Sequence, residues 1–314
     1  MLFTVIGDPH AKPDNLDKIN KLFDIIEELG NPCILLGDLL DTKELVRGKC
    51  LNTYIERMGA SKLNFIVLVG NHDWFNLDCK DHSLESLNLL SNVTLIDRPT
   101  ELEGVTYLPY IHEKHLLIRY LKQAKGAVFC HADAVGFDYG NGHISENGIR
   151  PEDFSEKPII ISGHYHKYQK AGNFIYLGTP FSHSFGETDQ EKFIGLFNSS
   201  HNSLELLDSP FPQHRTHEVK SLEEDKLRRL LDEISKTLDY HRVILHLGPE
   251  GLGAINPKDW PTVKFIIKPF KTKAETSIIK ETDSPEVQFA KWAKELKKLP
   301  KEVVALGLEI LKDV

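Results

Sequence analysis

FIVLVGNHD, residues 65–73, decides how the rest of the chain is read. Five apolar residues make a buried strand, a glycine releases the chain from it, and Asn71, His72 and Asp73 follow at its carboxyl end. The same grammar recurs. Residues 2–6 (LFTVI) lead into Asp8-x-His10, and 33–36 (CILL) lead into Gly37-Asp38-x-x-Asp41. Residues 127–130 (AVFC) lead into His131, and 159–161 (III) into Gly163-His164-x-His166. Almost every polar residue in these runs is a nitrogen or oxygen donor of the kind that holds divalent transition metals. Ligand sites of open α/β sheets lie outside the carboxyl ends of the strands. Strand ends that carry His, Asp and Asn to one edge therefore predict a metal centre.

Helical spacing fills the gaps between the runs. Ile19, Leu22, Phe23, Ile25, Ile26 and Leu29 predict a helix over 14–30, started by Asp14 and ended by Gly30. Leu45, Val46, Leu51, Tyr54, Ile55 and Met58 predict another over 42–59, for which Asp41 reads as a cap. The opening is thus β-α-β-α-β, a layered α/β domain with mainly parallel strands. Short runs at 174–177, 193–197 and 204–207 predict an antiparallel meander that completes a second sheet, and 208–217 (DSPFPQHRTH) reads as a linker. A helix over 221–238 and strands over 242–247 and 262–268 make a small α/β module. From Ser284 an apolar stripe that includes Phe289, Trp292 and Leu296 predicts two helices divided at Pro300. The expected domains are 1–208, 209–280 and 281–314.

Composition narrows the class. No apolar run approaches the ~20 residues that span a bilayer, and the N-terminus lacks the features of a signal peptide. Four cysteines without a CxxC pair read as reduced thiols in a cytoplasm. The net charge of −8 is unevenly spread: residues 209–314 hold 19 Lys and Arg against 17 Asp and Glu, so the acidic excess lies wholly before them. Bound divalent cations would offset part of it, so acidity does not exclude a phosphodiester substrate.

The spacing suits a two-metal hydrolase, which needs a bridging carboxylate, neutral donors and open positions for water and substrate. Pro9 stiffens the turn between Asp8 and His10 so that both can reach a metal. Gly37 lets Asp38 sit between two ions, and Asn71 offers a neutral oxygen. His164 and His166 can each face one ion on a locally extended chain.

The ordered set D-x-H, G-D-x-x-D, G-N-H-D, H and G-H-x-H resembles the calcineurin-like metallophosphoesterase superfamily over residues 1–208. Within it, 105–112 (VTYLPYIH), 130–180 and the C-terminal organisation resemble SbcD-type DNA repair nucleases, including the recombination endonuclease subunits of large phages. The resemblance implies a four-layer α/β/β/α sandwich with a small α/β cap over 209–280 that guides DNA. It implies C-terminal helices over 281–314 that bind the coiled coil of an SbcC-like, SMC-type ATPase, and a homodimer working in the cytoplasm of a cell or phage host. Two divalent ions per chain are implied, Mn²⁺ ahead of Mg²⁺. One would be held by Asp8, His10, Asp38 and His166, the other by Asp38, Asn71, His131 and His164. His72 would contact the scissile phosphate or protonate the leaving oxygen, and Asp73 would orient His72 or a ligand. The implied reaction is in-line attack on phosphorus by a hydroxide activated between the metals, with exonuclease and endonuclease activity on DNA.

Asp41 stands where some relatives position the phosphate with a histidine. The remaining histidines lack partner spacing and read as structural; His183, three after Pro180, is the one placed to touch substrate. An alternative, a stand-alone phosphodiesterase or phosphatase for nucleotides or other small phosphorylated compounds, uses the same motifs but does not need the residues after 208. A non-catalytic scaffold would be expected to have lost ligands, and all seven positions stand.

Overall fold

The computed structural model describes residues 1–43, 45–140, 142–220, 224–247, 256–269, 285–293 and 304. The chain divides into two units, one of Met1–Thr216 with Thr237–Tyr240 and one of His217–Lys236 with 241–314.

In the first unit the apolar runs are hydrophobic on both faces, which suits strands buried between layers. β1 (Leu2–Ile6), β2 (Cys33–Leu35), β3 (Phe65–Leu68) and β4 (Val93–Ile96) pair in parallel. A second sheet holds β5 (Thr100–Leu102), β6 (Val105–Leu108), β7 (Val128–His131), β8 (Ile160–Gly163), β9 (Gln169–Ala171) and β10 (Phe174–Tyr176), in the order β5-β6-β7-β8-β10-β9. The hairpin of β11 (Phe193–Asn198) and β12 (Ser203–Asp208) returns to the first sheet, where β11 lies antiparallel to β1. The expectation that this hairpin completes the second sheet is therefore wrong. Ile194 joins the core outside the first sheet and Phe197 the core between the sheets, so β11 buries both faces beside β1. It also covers an edge that β1 would otherwise expose.

Alternate residues point to opposite faces. Val5, Ile34 and Leu68 meet Tyr107, Phe129, Ile161 and Leu177 between the sheets. There the Phe129 ring stands edge-on to Phe197 at 5.0 Å. Ile6, Leu35 and Val67 face outward and are covered by α1 (Leu16–Leu29) and α2 (Gly48–Ala60). Val128, Cys130 and Ile160 are covered by α3 (Lys114–Gln123) through Leu117 and Leu121. The result is a four-layer α/β/β/α sandwich.

Ile19, Leu22, Phe23 and Ile26 of α1 are buried, each contributing about 1.5–3 kcal/mol. Gly30 ends the helix at φ 67°, donating its N–H to Ile26 O. The expected start at Asp14 is not made. Asn15 occupies the cap position, and its side chain instead accepts from Lys12 N and donates to His10 O. It thereby fixes the loop that carries Asp8 and His10. α2 begins at Gly48, so Asp41 is no helix cap. Residues 208–217 are not a loose linker: Phe211 is buried against Phe181, and 214–216 already belong to a strand.

The second unit is organised on a sheet in the order β13-β14-β15, with β13 (His214–Val219) beginning in the first unit, β14 (Tyr240–Leu247) and β15 (Val263–Pro269). β14 and β15 are parallel. α4 (Glu224–Ile234) places Leu227, Leu231 and Ile234 against Val243, Leu245 and Trp260. α5 (Pro285–Lys291) is the described part of the expected C-terminal helices; most of 281–314 lies outside the described residues. No helix among the described residues is long and apolar enough to cross a membrane, and all four cysteines are unpaired.

Candidate metal centre

Adjacent carboxyl ends in the two sheets bring the predicted runs together. Two groups of donors result: Asp8, His10 and His166, and Asp38, His131 and His164, each with one donor atom per residue within 4.8 Å of the others. Asp38 lies between them. Its Oδ2 is 3.7 Å from His10 Nε2 and 3.5 Å from His131 Nε2, while its Oδ1 accepts the His72 N–H at 2.7 Å. Asn71 turns Oδ1 to His131 Nε2 at 2.8 Å and to His164 Nδ1 at 2.7 Å.

The backbone is bent hard to achieve this. His10 (φ 41°), Asp38 (φ 50°) and His164 (φ 93°) all occupy the left-handed region, a conformation that costs on the order of 1–3 kcal/mol at a non-glycine residue. Gly37 is left-handed too (φ 107°), and a Cβ there would meet His131 Nδ1 at 2.6 Å. Gly70 is needed for space alone, since its Cβ would lie 2.3 Å from Asp38 N and Oδ1.

Ring protons can be assigned from the partners. His131 Nδ1–H donates to Leu36 O, His164 Nε2–H to Asp133 Oδ1 and His166 Nδ1–H to Glu187 Oε1, at 2.8, 2.8 and 2.9 Å. A carbonyl or carboxylate oxygen can only accept, so in the neutral rings the other nitrogens carry lone pairs. Those lone pairs aim at Asn71 Oδ1 and, for His166, at His10 Nε2 at 3.0 Å. With the rings neutral, His131 Nε2, His164 Nδ1 and Asn71 Oδ1 converge as acceptors, an arrangement that a cation among them would satisfy; without one, a proton on His131 does so. Asp8 adds a buried Oδ1 without a hydrogen-bond partner, its Oδ2 accepting the His164 N–H. The donor set fits two divalent cations of the imidazole- and carboxylate-binding kind.

Charge follows the same geometry. Burial pushes Asp8 up to about 6. Burial would raise Asp38 as well, but the charges of His131 and His10 overcome it and hold the carboxyl well below its ordinary range. Burial likewise opposes protonation of His131, yet Asp38 and Asp8 lift it to about 10.

Three groups outside the predicted set hold the donors. Asp133 orients His164 and Glu187 orients His166. Lys192, fully buried, donates to Glu187 Oε2, Thr179 Oγ1 and His166 O. Asp133 falls inside the 130–180 block, but nothing in its local pattern marks it; Glu187 has no sequence signal. Carboxylates behind a ligating histidine raise its basicity and fix its orientation.

The remaining predicted residues are placed differently. His72 Nδ1–H donates to Asp41 O at 2.9 Å, so Asp41 meets it through its main chain. Asp73 does not reach the His72 ring. It is buried and accepts from Leu39, Leu40 and Gly70 N–H, tying the Asp38 and Asn71 loops together. His183 packs its ring on His10 and His166, at 5.5 and 5.8 Å, and its Nε2 is buried without a hydrogen-bond partner. Burial lowers it to about 3. Cavities of about 350 and 380 Å³ lie elsewhere without any donor cluster.

The sequence model of the calcineurin-like phosphoesterase family matches residues 1–198, and the chain belongs to that family. That family is one of phosphoesterases, and the two donor clusters of this chain are candidate sites for two divalent metals. A protein named "Putative phosphoesterase 078R" from Invertebrate iridescent virus 3 is 31% identical over 214 residues, covering 58% of each chain. Exonuclease subunit 1 of Enterobacteria phage T4 is 24% identical over 195 residues, covering 58% of this chain and 57% of its own. The matches thus span little more than half the length of these relatives. Among solved structures, a novel archaeal phosphodiesterase is 16% identical, covering 66% of this chain and 99% of its own with a TM-score of 0.39.

Proposed function

We propose that the chain is the nuclease subunit of an SbcCD-type DNA repair or recombination complex, cutting phosphodiester bonds with two Mn²⁺ ions. The observation that carries the chemistry is Asp38, whose Oδ2 lies between two histidine clusters while Oδ1 fixes the His72 backbone. Asp8, His10, Asp38 and His166 would hold one ion, and Asp38, Asn71, His131 and His164 the other. Bound there, the ions supply Lewis acidity and lower the pKa of water. Asp133 and Glu187 fix the tautomers, so that in the neutral rings His164 Nδ1 and His166 Nε2 are the nitrogens left to face the ions. His72, anchored through Nδ1 to Asp41 O, presents Nε2 as the atom that holds or delivers a proton at the leaving oxygen. The name of the phage T4 relative, an exonuclease subunit, supports a nucleic acid as substrate. The cap role of 209–280, the binding of an SbcC-like ATPase through 281–314 and a homodimer belong to the same proposal.

A second reading, a stand-alone phosphodiesterase for nucleotides or small phosphorylated compounds, is favoured by the higher identity to the iridescent-virus protein. Purified chain, with His72→Ala and His166→Ala beside it, separates them. The nuclease reading expects Mn²⁺-dependent DNA cleavage that both variants lose by at least about 100-fold. Intact cleavage in either variant would overturn the site. Hydrolysis of small diesters without DNA cleavage would favour the second reading.

A further inference from the structure

Lysine is almost never fully buried unless it is paired, and Lys192 meets that condition beside the metal donors, its side chain 0% exposed. The ladder that sets β11 against β1 places it there. Leu2 pairs with Asn198 and Val5 with Gly195. The same register carried onward sets Lys192, just before β11, opposite Asp8, just after β1. Its ammonium reaches Glu187 Oε2 at 2.7 Å, Thr179 Oγ1 at 2.8 Å, His166 O at 2.9 Å and Gln190 Oε1 at 3.2 Å.

Two of these contacts converge on one metal donor. The ammonium holds the His166 carbonyl directly, and it holds the His166 ring through Glu187, whose Oε1 accepts Nδ1–H at 2.9 Å. Both ends of His166, which follows β8 of the second sheet, are thus anchored to one charge at the head of a strand of the first. The other cluster is backed differently. His131 rests on a main-chain oxygen, that of Leu36. Asp133, behind His164, meets no ammonium among the described residues; its further partner is the Tyr165 hydroxyl at 3.4 Å, and it is half-buried. A cation beside a dication site opposes binding, so the arrangement favours an ion only through alignment. Glu187 stands between ammonium and ring with the opposite charge, which leaves the pair close to neutral toward the ion.

We propose that Lys192 is a positioning residue for one ion alone, the one assigned to Asp8, His10, Asp38 and His166. It holds Glu187 and the His166 main chain in the alignment that turns His166 Nε2 toward that ion. Groups behind a ligating histidine set its orientation and basicity, and a buried ion pair fixes that orientation more firmly than an exposed one. The inference rests on the two-metal reading of the centre and makes its two sites unequal in what supports them.

Mn²⁺ titration of the chelated full chain, followed by the electron paramagnetic resonance signal of free Mn²⁺, tests it without reference to activity. Lys192→Met should weaken one ion about 10–100-fold and change the other by no more than about twofold. In a His166→Ala background, where that ion has already lost a donor, Lys192→Met should leave the remaining ion unchanged. Lys192→Met strands the buried Glu187 charge and can cost the fold. Lys192→Met/Glu187→Gln removes both charges together and is compared with Glu187→Gln. The double variant should bind the same ion more weakly by about threefold or more, the worth of the hydrogen bond lost at His166 O. Equal binding by those two variants would overturn the proposal. So would a loss shared alike by both ions, no loss at either, or a tighter ion in Lys192→Met, which would mean that charge outweighs alignment. Wild-type chain that binds fewer than two ions would instead bring down the two-metal reading, and the role of Lys192 with it.

Discussion

At the scale of single residues, the centre works by deciding where protons are not. Leu36 O, Asp133 and Glu187 each occupy one nitrogen of a histidine, so in the neutral ring the opposite nitrogen is a lone pair by exclusion. Asp133→Asn and Glu187→Gln keep the size of the partner but allow an amide N–H to face the ring and reverse the tautomer. Each should weaken Mn²⁺ binding about 10–100-fold, read by calorimetric titration of chelated protein; an unchanged affinity would refute the assignment. Asp73 acts on backbone instead. Asp73→Ala strands the buried N–H groups of Leu39, Leu40 and Gly70, and each such group costs about 1–3 kcal/mol. Urea unfolding should show a loss of at least about 2 kcal/mol, whereas a loss below that would mean the loops hold without it.

At the scale of elements, a loop strapped to β9 gives a pH test. Asp138 accepts from Gly140 N, Gly142 N and Lys167 Nζ, and its backbone pairs with the Gln169 side chain. Burial works to raise its pKa, but Lys167 and the glycine amides bring it below 3.8. A carboxyl depressed in the folded state adds stability that is complete above its unfolded pKa and vanishes as pH falls through the folded one. Asp138→Asn should therefore cost about 1 kcal/mol at pH 7, a gap that closes below pH 3.8; a gap constant with pH would contradict this. How far such elements could be read beforehand follows from the range of their causes. Strands such as Phe65–Leu68 and the donors after them were legible because apolar run, glycine and ligand are consecutive. The sheet chosen by Phe193–Asn198 was not, because its partner, the edge of Leu2–Ile6, is distant in sequence. Phe211 hid in a Pro- and His-rich stretch for the same reason, as the ring that receives it is Phe181. Asp133 and Glu187 are ordinary loop carboxylates until the fold sets them behind histidines.

For the whole molecule, strain and charge converge on a dependence on metal. Left-handed backbone at His10, Asp38 and His164 and two buried carboxylates raise the energy of the folded chain without cations. A ligand that binds only the folded state adds RT ln(1 + [L]/Kd), about 2.7 kcal/mol at 100 times Kd. Chelation should thus lower the calorimetric Tm, and Mn²⁺ should raise it with the logarithm of its concentration. Asp38→Asn keeps an oxygen for the His72 N–H yet removes the charge between the clusters, so both ions should be weakened together. His166→Ala strips a donor from one cluster only and should leave part of the Mn²⁺ response. If the two variants lose the same fraction of the Tm shift, Asp38 does not join the sites; if the wild-type Tm ignores chelator and metal alike, the clusters do not bind Mn²⁺.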